Sequence, residues 1–260
     1  MNKACRIIAV ANEKGGVGKT VTAINLAAAL SLKGLAVLVA DMDPQANATR
    51  GLGFDAGDSR TTIYDLLCHP ESAGAGDAVV ETKWEGLHLI PAHVDLAGAE
   101  VELVNLAGRE NRLKQAMEPI QGAYDVMILD TPPSLSLLTV NVFGCAGSVI
   151  VPCQTHPYAF DALAELFDTI AAVRREINPG LEVSGILATM FDQRTRVSHN
   201  TLAKLRNDEA TKGLMYRTVI RSNTTIADSA EAGKPVVFYR TTSFGAIDYR
   251  AFADEFLDHF

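Results

Sequence analysis

Short apolar runs alternate along this chain with longer segments whose apolar positions return every three to four residues. The runs Arg6 to Ala11, Ala36 to Ala40, Leu87 to Pro91, Val126 to Leu129, Ser148 to Val151, Val183 to Met190 and Tyr216 to Ile220 predict strands. The segments Thr20 to Lys33, Ala97 to Gly108, Arg109 to Ile120, Ala159 to Ile177, Ser198 to Arg206 and Phe244 to Phe260 predict helices. Strands that are apolar throughout and separated by helices imply an α/β fold: a doubly wound, mostly parallel sheet with helices on both faces. Asp55 to Arg60 and Ser72 to Gly76 read as surface loops, and no repeat or Pro/Gly/Ser-rich linker divides the chain. One domain over residues 1–260 is expected.

Composition adds little to this picture, but charge adds something. The 260 residues are 48% hydrophobic and 21% charged, an ordinary globular mixture. Net charge is −8, which excludes a protein that coats nucleic acid with its whole surface. From Arg194 to Arg250, however, ten Lys and Arg face five acids, a local +5 that leaves −13 elsewhere. Cys5, Cys68, Cys145 and Cys153 are widely spaced with no C-x-x-C pair, so reduced structural thiols are expected. Polar Asn2 to Arg6 leads into an apolar run too short for a secretory core or a membrane span, and the cytosol is the expected compartment.

The chemistry begins after the first predicted strand, at Lys14-Gly15-Gly16-Val17-Gly18-Lys19-Thr20, which opens a helix. Glycines let backbone N–H groups turn onto an anion, the helix N-terminus adds its dipole, Lys19 adds a point charge and the Thr20 hydroxyl can hold Mg²⁺. The standard phosphate loop needs Gly at position 13, where Glu13 stands. The form K-G-G-x-G-K-[ST] fits instead, and by it the chain resembles the deviant P-loop superfamily of ParA, MinD and the nitrogenase iron protein. That resemblance implies ATP and Mg²⁺ as cofactors, with Lys14, Gly15, Gly16, Val17, Gly18, Lys19, Thr20 and Val21 around the nucleotide. It also implies that Lys14 crosses a dimer interface to the partner subunit's nucleotide, so that ATP lies sandwiched in a homodimer.

Two acidic turns follow. The second strand runs into Asp41-Met42-Asp43-Pro44-Gln45-Ala46-Asn47, similar to the D-x-D-P-Q-x-N segment of ParA proteins. The similarity implies that Asp43 activates the attacking water and that Asp41 lies close to the magnesium. The fourth run ends in Asp130-Thr131-Pro132-Pro133-Ser134; an apolar strand delivering one carboxylate is the Walker B logic, with Asp130 beside the metal. Thr20, Asp41 and Asp130 are thus the expected metal residues, and Lys14, Lys19 and Asp43 the expected catalytic ones. N-K-x-D, the guanine-reading motif, is absent, which favours ATP.

Within the superfamily the ParA branch fits best. Asp130 to Leu138 holds no cysteine for an iron–sulfur cluster, and the last residues, Tyr249 to Phe260, are acidic where a MinD-like membrane helix is basic. A metabolic ligase of the dethiobiotin synthetase type is the alternative of another class. Ile90-Pro91-Ala92, Leu96-Ala97-Gly98-Ala99-Glu100 and Gly233-Lys234-Pro235-Val236 are further ParA-like segments, and the likeness spans Arg6 to Asp254 without an added helix-turn-helix domain. It implies a small ParA that binds double-stranded DNA non-specifically as an ATP-bound dimer on the nucleoid. Hydrolysis would be slow and stimulated by a ParB-like or other cargo adaptor bearing a basic segment, with no membrane partner. Arg194 and Arg221 are the first DNA candidates, and Lys204, Arg206 and Arg217 the next. Departures from the family pattern fall at Val21, Ala46, Ile220 to Asn223, His156-Pro157 and Thr224-Thr225.

Overall fold

Strand β1 (Arg6–Val10) leads through the glycine-rich loop into α1 (Lys19–Ser31), then β2 (Val37–Asp41) and the short helices α2 (Asn47–Gly51), α3 (Ile63–Cys68) and α4 (Ala75–Ala78). Next come β3 (Val80–Glu81), β4 (Leu87–Ile90), α5 (Leu96–Leu103), α6 (Arg112–Met117), β5 (Val126–Asp130), α7 (Leu137–Cys145), β6 (Ser148–Gln154) and α8 (Ala159–Glu176). The chain finishes with β7 (Glu182–Phe191), α9 (Arg196–Asn207), β8 (Met215–Arg221), α10 (Thr224–Glu231), α11 (Val236–Tyr239) and α12 (Phe244–Asp258). This is a computed structural model, and it describes residues 5–55, 57 and 61–258.

All eight strands join one sheet in the order β3-β4-β2-β5-β1-β6-β7-β8, parallel throughout except for the antiparallel β3–β4 edge. The two-residue pleat sends alternate side chains to opposite faces. Ile7, Ala9, Leu38, Ala40, Met127 and Leu129 pack against α3, α5, α6, α7 and α8 on one side. Ile8, Val10, Val37, Val39, Val126 and Ile128 pack against α1, α11 and α12 on the other. Burial on both faces explains why these strands read as unbroken apolar runs, and each fully buried Val, Leu or Ile contributes roughly 1.5–3 kcal/mol.

The seven expected strands are present, several longer by a few residues; β3 was not anticipated. The helix expected over Ala97 to Gly108 ends at Leu103, and that over Arg109 to Ile120 is broken into 3-10, α and 3-10 turns, the last holding Pro119. Of the loop expected at Asp55 to Arg60, residues 56 and 58–60 lie outside the described residues, as do the last two of the predicted C-terminal helix. The second expected loop contains the start of α4. All four cysteines are free, and burial pushes the thiols of Cys68, Cys145 and Cys153 up to about 12, which suits inert packing groups. Among the described residues no helix is long and apolar enough to cross a membrane.

Candidate nucleotide site

At the carboxyl edge of the sheet, where open α/β folds bind ligands, the loop after β1 is pinned from three neighbouring strands. Asn12 donates its side-chain N–H to the Pro152 carbonyl (2.8 Å) and accepts from the Lys14 N–H (3.0 Å). The Thr189 hydroxyl donates to the Val17 carbonyl (2.8 Å), and the Thr131 hydroxyl to the Val10 carbonyl (3.0 Å). Gly18 enters α1 with φ of 91°, a left-handed conformation that glycine adopts without a Cβ penalty. The loop's shape is therefore fixed by bonds to its surroundings.

Lys19 folds back so that its buried Nζ donates to the Lys14 carbonyl at 3.1 Å. Desolvation pulls its pKa down from the ordinary lysine value, while Asp130 and Asp43 pull it back up. The Lys14 ammonium makes no ion pair among the described residues. Gly15, Gly16, Gly18, Lys19, Thr20, Val21, Asp43, Asn47, Arg50, Pro133 and Met190 line a cleft of about 430 Å³. Beside it a second cavity, about 280 Å³, is lined mainly by Val21, Met190, Ile220, Asn223, Ile226 and Tyr249, so Val21 stands between the two. Met190 lies at their junction with φ of 51°, a strained setting for a side chain with a Cβ.

The three aspartates converge here, but in different roles. Asp41 and Asp130 are in register on β2 and β5, and both are fully buried. Neither oxygen of Asp130 has a hydrogen-bond partner among the described residues. Burial first, and then the charge of Asp41, raises its pKa well above the usual carboxylate range, with Thr20 beside it acting in the opposite direction. A buried carboxylate with both oxygens unsatisfied, next to a threonine hydroxyl at the start of α1, has the donor chemistry of a hard-cation site. Asp43 holds the Gln45 N–H on one oxygen (2.9 Å) and lines the cleft.

Asp41, expected close to the magnesium, stands beside Asp130 and is hydrogen-bonded within the acidic turn. One oxygen accepts both the N–H and the hydroxyl of Thr49 (2.8 and 2.7 Å), and the other accepts the Asp43 N–H (3.1 Å). These three bonds shape the acidic turn. The same turn carries Ala46 at φ of 52°, the reason a glycine suits that position.

The basic candidates divide into two groups. Arg194 and Arg221 line one shallow cleft with Phe191 and Phe244 at the carboxyl edge. The Arg194 side chain is 90% exposed and pairs with Asp192 at 3.1 Å. Arg221 is only 22% exposed; its guanidinium and its own N–H all donate to Asp248, and it lies 4.1 Å from the Phe244 ring centroid. Lys204, Arg206 and Arg217 form the second group, the first two in the last turn of α9 and Arg217 on β8. Lys204 stacks on Phe160, Arg206 donates to the Arg217 carbonyl, and Arg217 pairs with Glu255 and Asp258. Thr224 and Thr225 open α10, capped by Asn223.

Thr49, Thr189 and Asn12 hold the site together; Thr49 and Asn12 adjoin the acidic turn and the phosphate loop in sequence, whereas Thr189 is brought in by the fold. The ParA-like Gly233 has its own structural reason. With φ of 59° it meets Gly53 backbone to backbone: a Cβ on Gly233 would lie 3.0 Å from the Arg50 carbonyl oxygen, and one on Gly53 2.9 Å from the Gly233 oxygen.

A family model described as an AAA domain matches residues 5–183. The sporulation initiation inhibitor protein Soj of Bacillus subtilis is 41% identical over 250 residues, covering 96% of this chain and 97% of its own length. The chromosome partitioning protein ParA of Caulobacter vibrioides is 42% identical over 252 residues, with 96% and 93% covered. Among solved structures, a Mycobacterium smegmatis protein described as cobyrinic acid a,c-diamide synthase, with bound ADP and magnesium, superposes with a TM-score of 0.83. It is 36% identical and covers 98% of this chain and 95% of its own.

Proposed function

The chain belongs to the ParA/Soj family of P-loop partition and positioning ATPases, and from that premise we propose that it is an ATP-driven dimerisation switch that holds non-specific double-stranded DNA. One observation carries the reading. Lys14 has its backbone built into the phosphate cradle, through Asn12 and Lys19, while its ammonium makes no ion pair among the described residues. A cation presented in this way suits the nucleotide of a second copy.

In this reading the triphosphate lies along Gly15 to Val21, with Lys19 against its phosphates and the adenine in the apolar cavity beside Val21 and Met190. Thr20 and Asp130 would hold Mg²⁺, whose charge would offset that developing on the phosphate. Asp43, lining the cleft, orients water for in-line attack, and the partner's lysine stabilises the transition state. Catalysis by charge and position alone is slow until an adaptor improves the arrangement. A basic adaptor segment suits the acidic remainder of the surface.

Dimerisation doubles the positive edge around Arg194, and paired phosphate contacts make DNA binding steep and salt-sensitive. Arg221 supports that edge from its bond to Asp248, and Lys204, Arg206 and Arg217 add charge at longer range. The 260 residues work as one ATPase domain, cytoplasmic and nucleoid-associated, with no membrane docking. Sedimentation with a non-hydrolysable ATP analogue, Mg²⁺ and unrelated duplexes tests this: a nucleotide-dependent dimer that carries DNA is expected, and a nucleotide-saturated monomer overturns it.

The name of the Mycobacterium smegmatis protein favours a second reading, an ATP-dependent synthase acting on a carboxylic acid. Phosphate release that requires such a metabolite, and is indifferent to DNA, would support it.

A further inference from the structure

Arg50 carries information that neither the motif nor the proposed switch uses. It lies on α2, directly after Thr49, and lines the same cleft as Lys19, Thr20 and Gly15. Its guanidinium is exposed, and its side-chain contact is a single donation to the neutral Asn47 Oδ1 at 2.8 Å. Arg175, Arg194, Arg217 and Arg221 each pair with a carboxylate; Arg50 makes no ion pair among the described residues.

The charges facing the cleft decide what it attracts. Its ionisable lining side chains are Lys19, Arg50 and Asp43, two cations against one anion. A cleft of that sign, fringed by backbone N–H groups at the start of α1, selects a polyanion. The guanidinium also projects from a fixed base. Thr49 is fastened to Asp41, and the Arg50 carbonyl is closed against Gly233, so α2 cannot swing the arginine away cheaply.

We propose that Arg50 is a second cation of the nucleotide site, supplied by the same subunit, which clasps the phosphate chain of the bound nucleotide from the α2 side. This inference rests on the ATP-binding reading above. The planar guanidinium suits bidentate contact with phosphate oxygens, and Asn47 holds it ready at the cleft wall. Since α2 follows the acidic turn, the contact ties the position of that turn to the presence of phosphate. Arg50 is thus a positioning residue for the switch segment as well as a ligand-binding one.

The experiment titrates wild type, Arg50→Ala and Arg50→Lys with fluorescent ADP and a fluorescent non-hydrolysable ATP analogue, alongside thermal melting of each nucleotide-free protein. Arg50→Ala is expected to weaken the triphosphate about tenfold and the diphosphate less, about 1.4 kcal/mol at a factor of ten. Arg50→Lys should recover part of the loss through its charge, and the nucleotide-free melting temperature should stay put. Unchanged affinity in Arg50→Ala overturns the inference, and so does a loss accompanied by a lowered nucleotide-free melting temperature that lysine fails to rescue. If wild type binds neither nucleotide, the ATP-binding reading itself fails; if wild type binds both and Arg50→Ala binds them equally well, only the role of Arg50 is lost.

Discussion

Thr49 grips Asp41 twice, its hydroxyl and its backbone N–H donating to the same carboxylate oxygen at 2.7 and 2.8 Å. The hydroxyl also accepts the Ala92 N–H at 3.0 Å, so the ends of β2 and β4 and the start of α2 share one buried node. The acidic turn is shaped by the protein's own groups.

Thr49→Val keeps the volume and removes the node. It deletes one hydrogen bond to Asp41 and leaves the Ala92 N–H unsatisfied in the interior, a loss of about 1–3 kcal/mol. Urea unfolding should show the midpoint falling at constant slope. An unshifted midpoint would mean that the node contributes nothing.

Asp130 should behave in opposite ways with and without metal. Both of its oxygens are buried without partners, so Asp130→Asn relieves a buried charge and should raise the nucleotide-free melting temperature. The same variant should lose the extra stabilisation that Mg²⁺ gives the ADP-bound wild type. Retention of the full Mg²⁺ increment would remove Asp130 from the metal site.

Glu13, where a standard phosphate loop has glycine, gives a pH dependence. Partial burial and then the neighbouring Glu165 push its carboxyl from an ordinary 4.5 up to about 7. The folded chain therefore holds a proton that the unfolded chain releases between these values. This contribution to stability is complete below about 4.5 and is lost as pH rises through 7. Glu165→Gln should melt higher than wild type above pH 7 and alike near pH 4.5, and parallel melting curves across that range would exclude the coupling.

The two leading arginines should separate under charge reversal. Arg194→Glu alters an exposed group and should abolish DNA retention while leaving the melting temperature and the ATP-dependent dimer intact. Arg221→Glu confronts Asp248 at close range and should lower stability as well, because a half-buried pair becomes a repulsion. DNA retention by Arg194→Glu at low salt would refute its role.

Much of this was legible from the residues in order. Strands buried on both faces write themselves as apolar runs, and the phosphate loop is contiguous, so its glycines, lysines and threonine needed no tertiary information. What escaped was set by distance in the chain or by lack of contrast. α7 is buried on nearly every side, and Leu137 to Cys145 offers no polar face to give it a period. The basic stretch looked like one patch because a linear count cannot see which of its cations are already engaged, as Arg217 is with Glu255 and Asp258. Asp248, which restrains Arg221, stands 27 residues away from it. Asp41 and Asp130 both end strands and look alike in sequence; their hydrogen bonds, to Thr49 and Asp43 for Asp41 and to neither for Asp130, are set by the fold.

The glycine crossing between residues 53 and 233 has a mechanical consequence. Two main chains in direct touch have no rotamers with which to absorb motion, so a displacement of the segment after the acidic turn is passed undamped to the turn following α10. One wall of the apolar cavity and the bend leading to Tyr239 would then move as one lever with the phosphate side. Loading of the cleft could thus be felt at the outer rim of the molecule without any relay of charged groups.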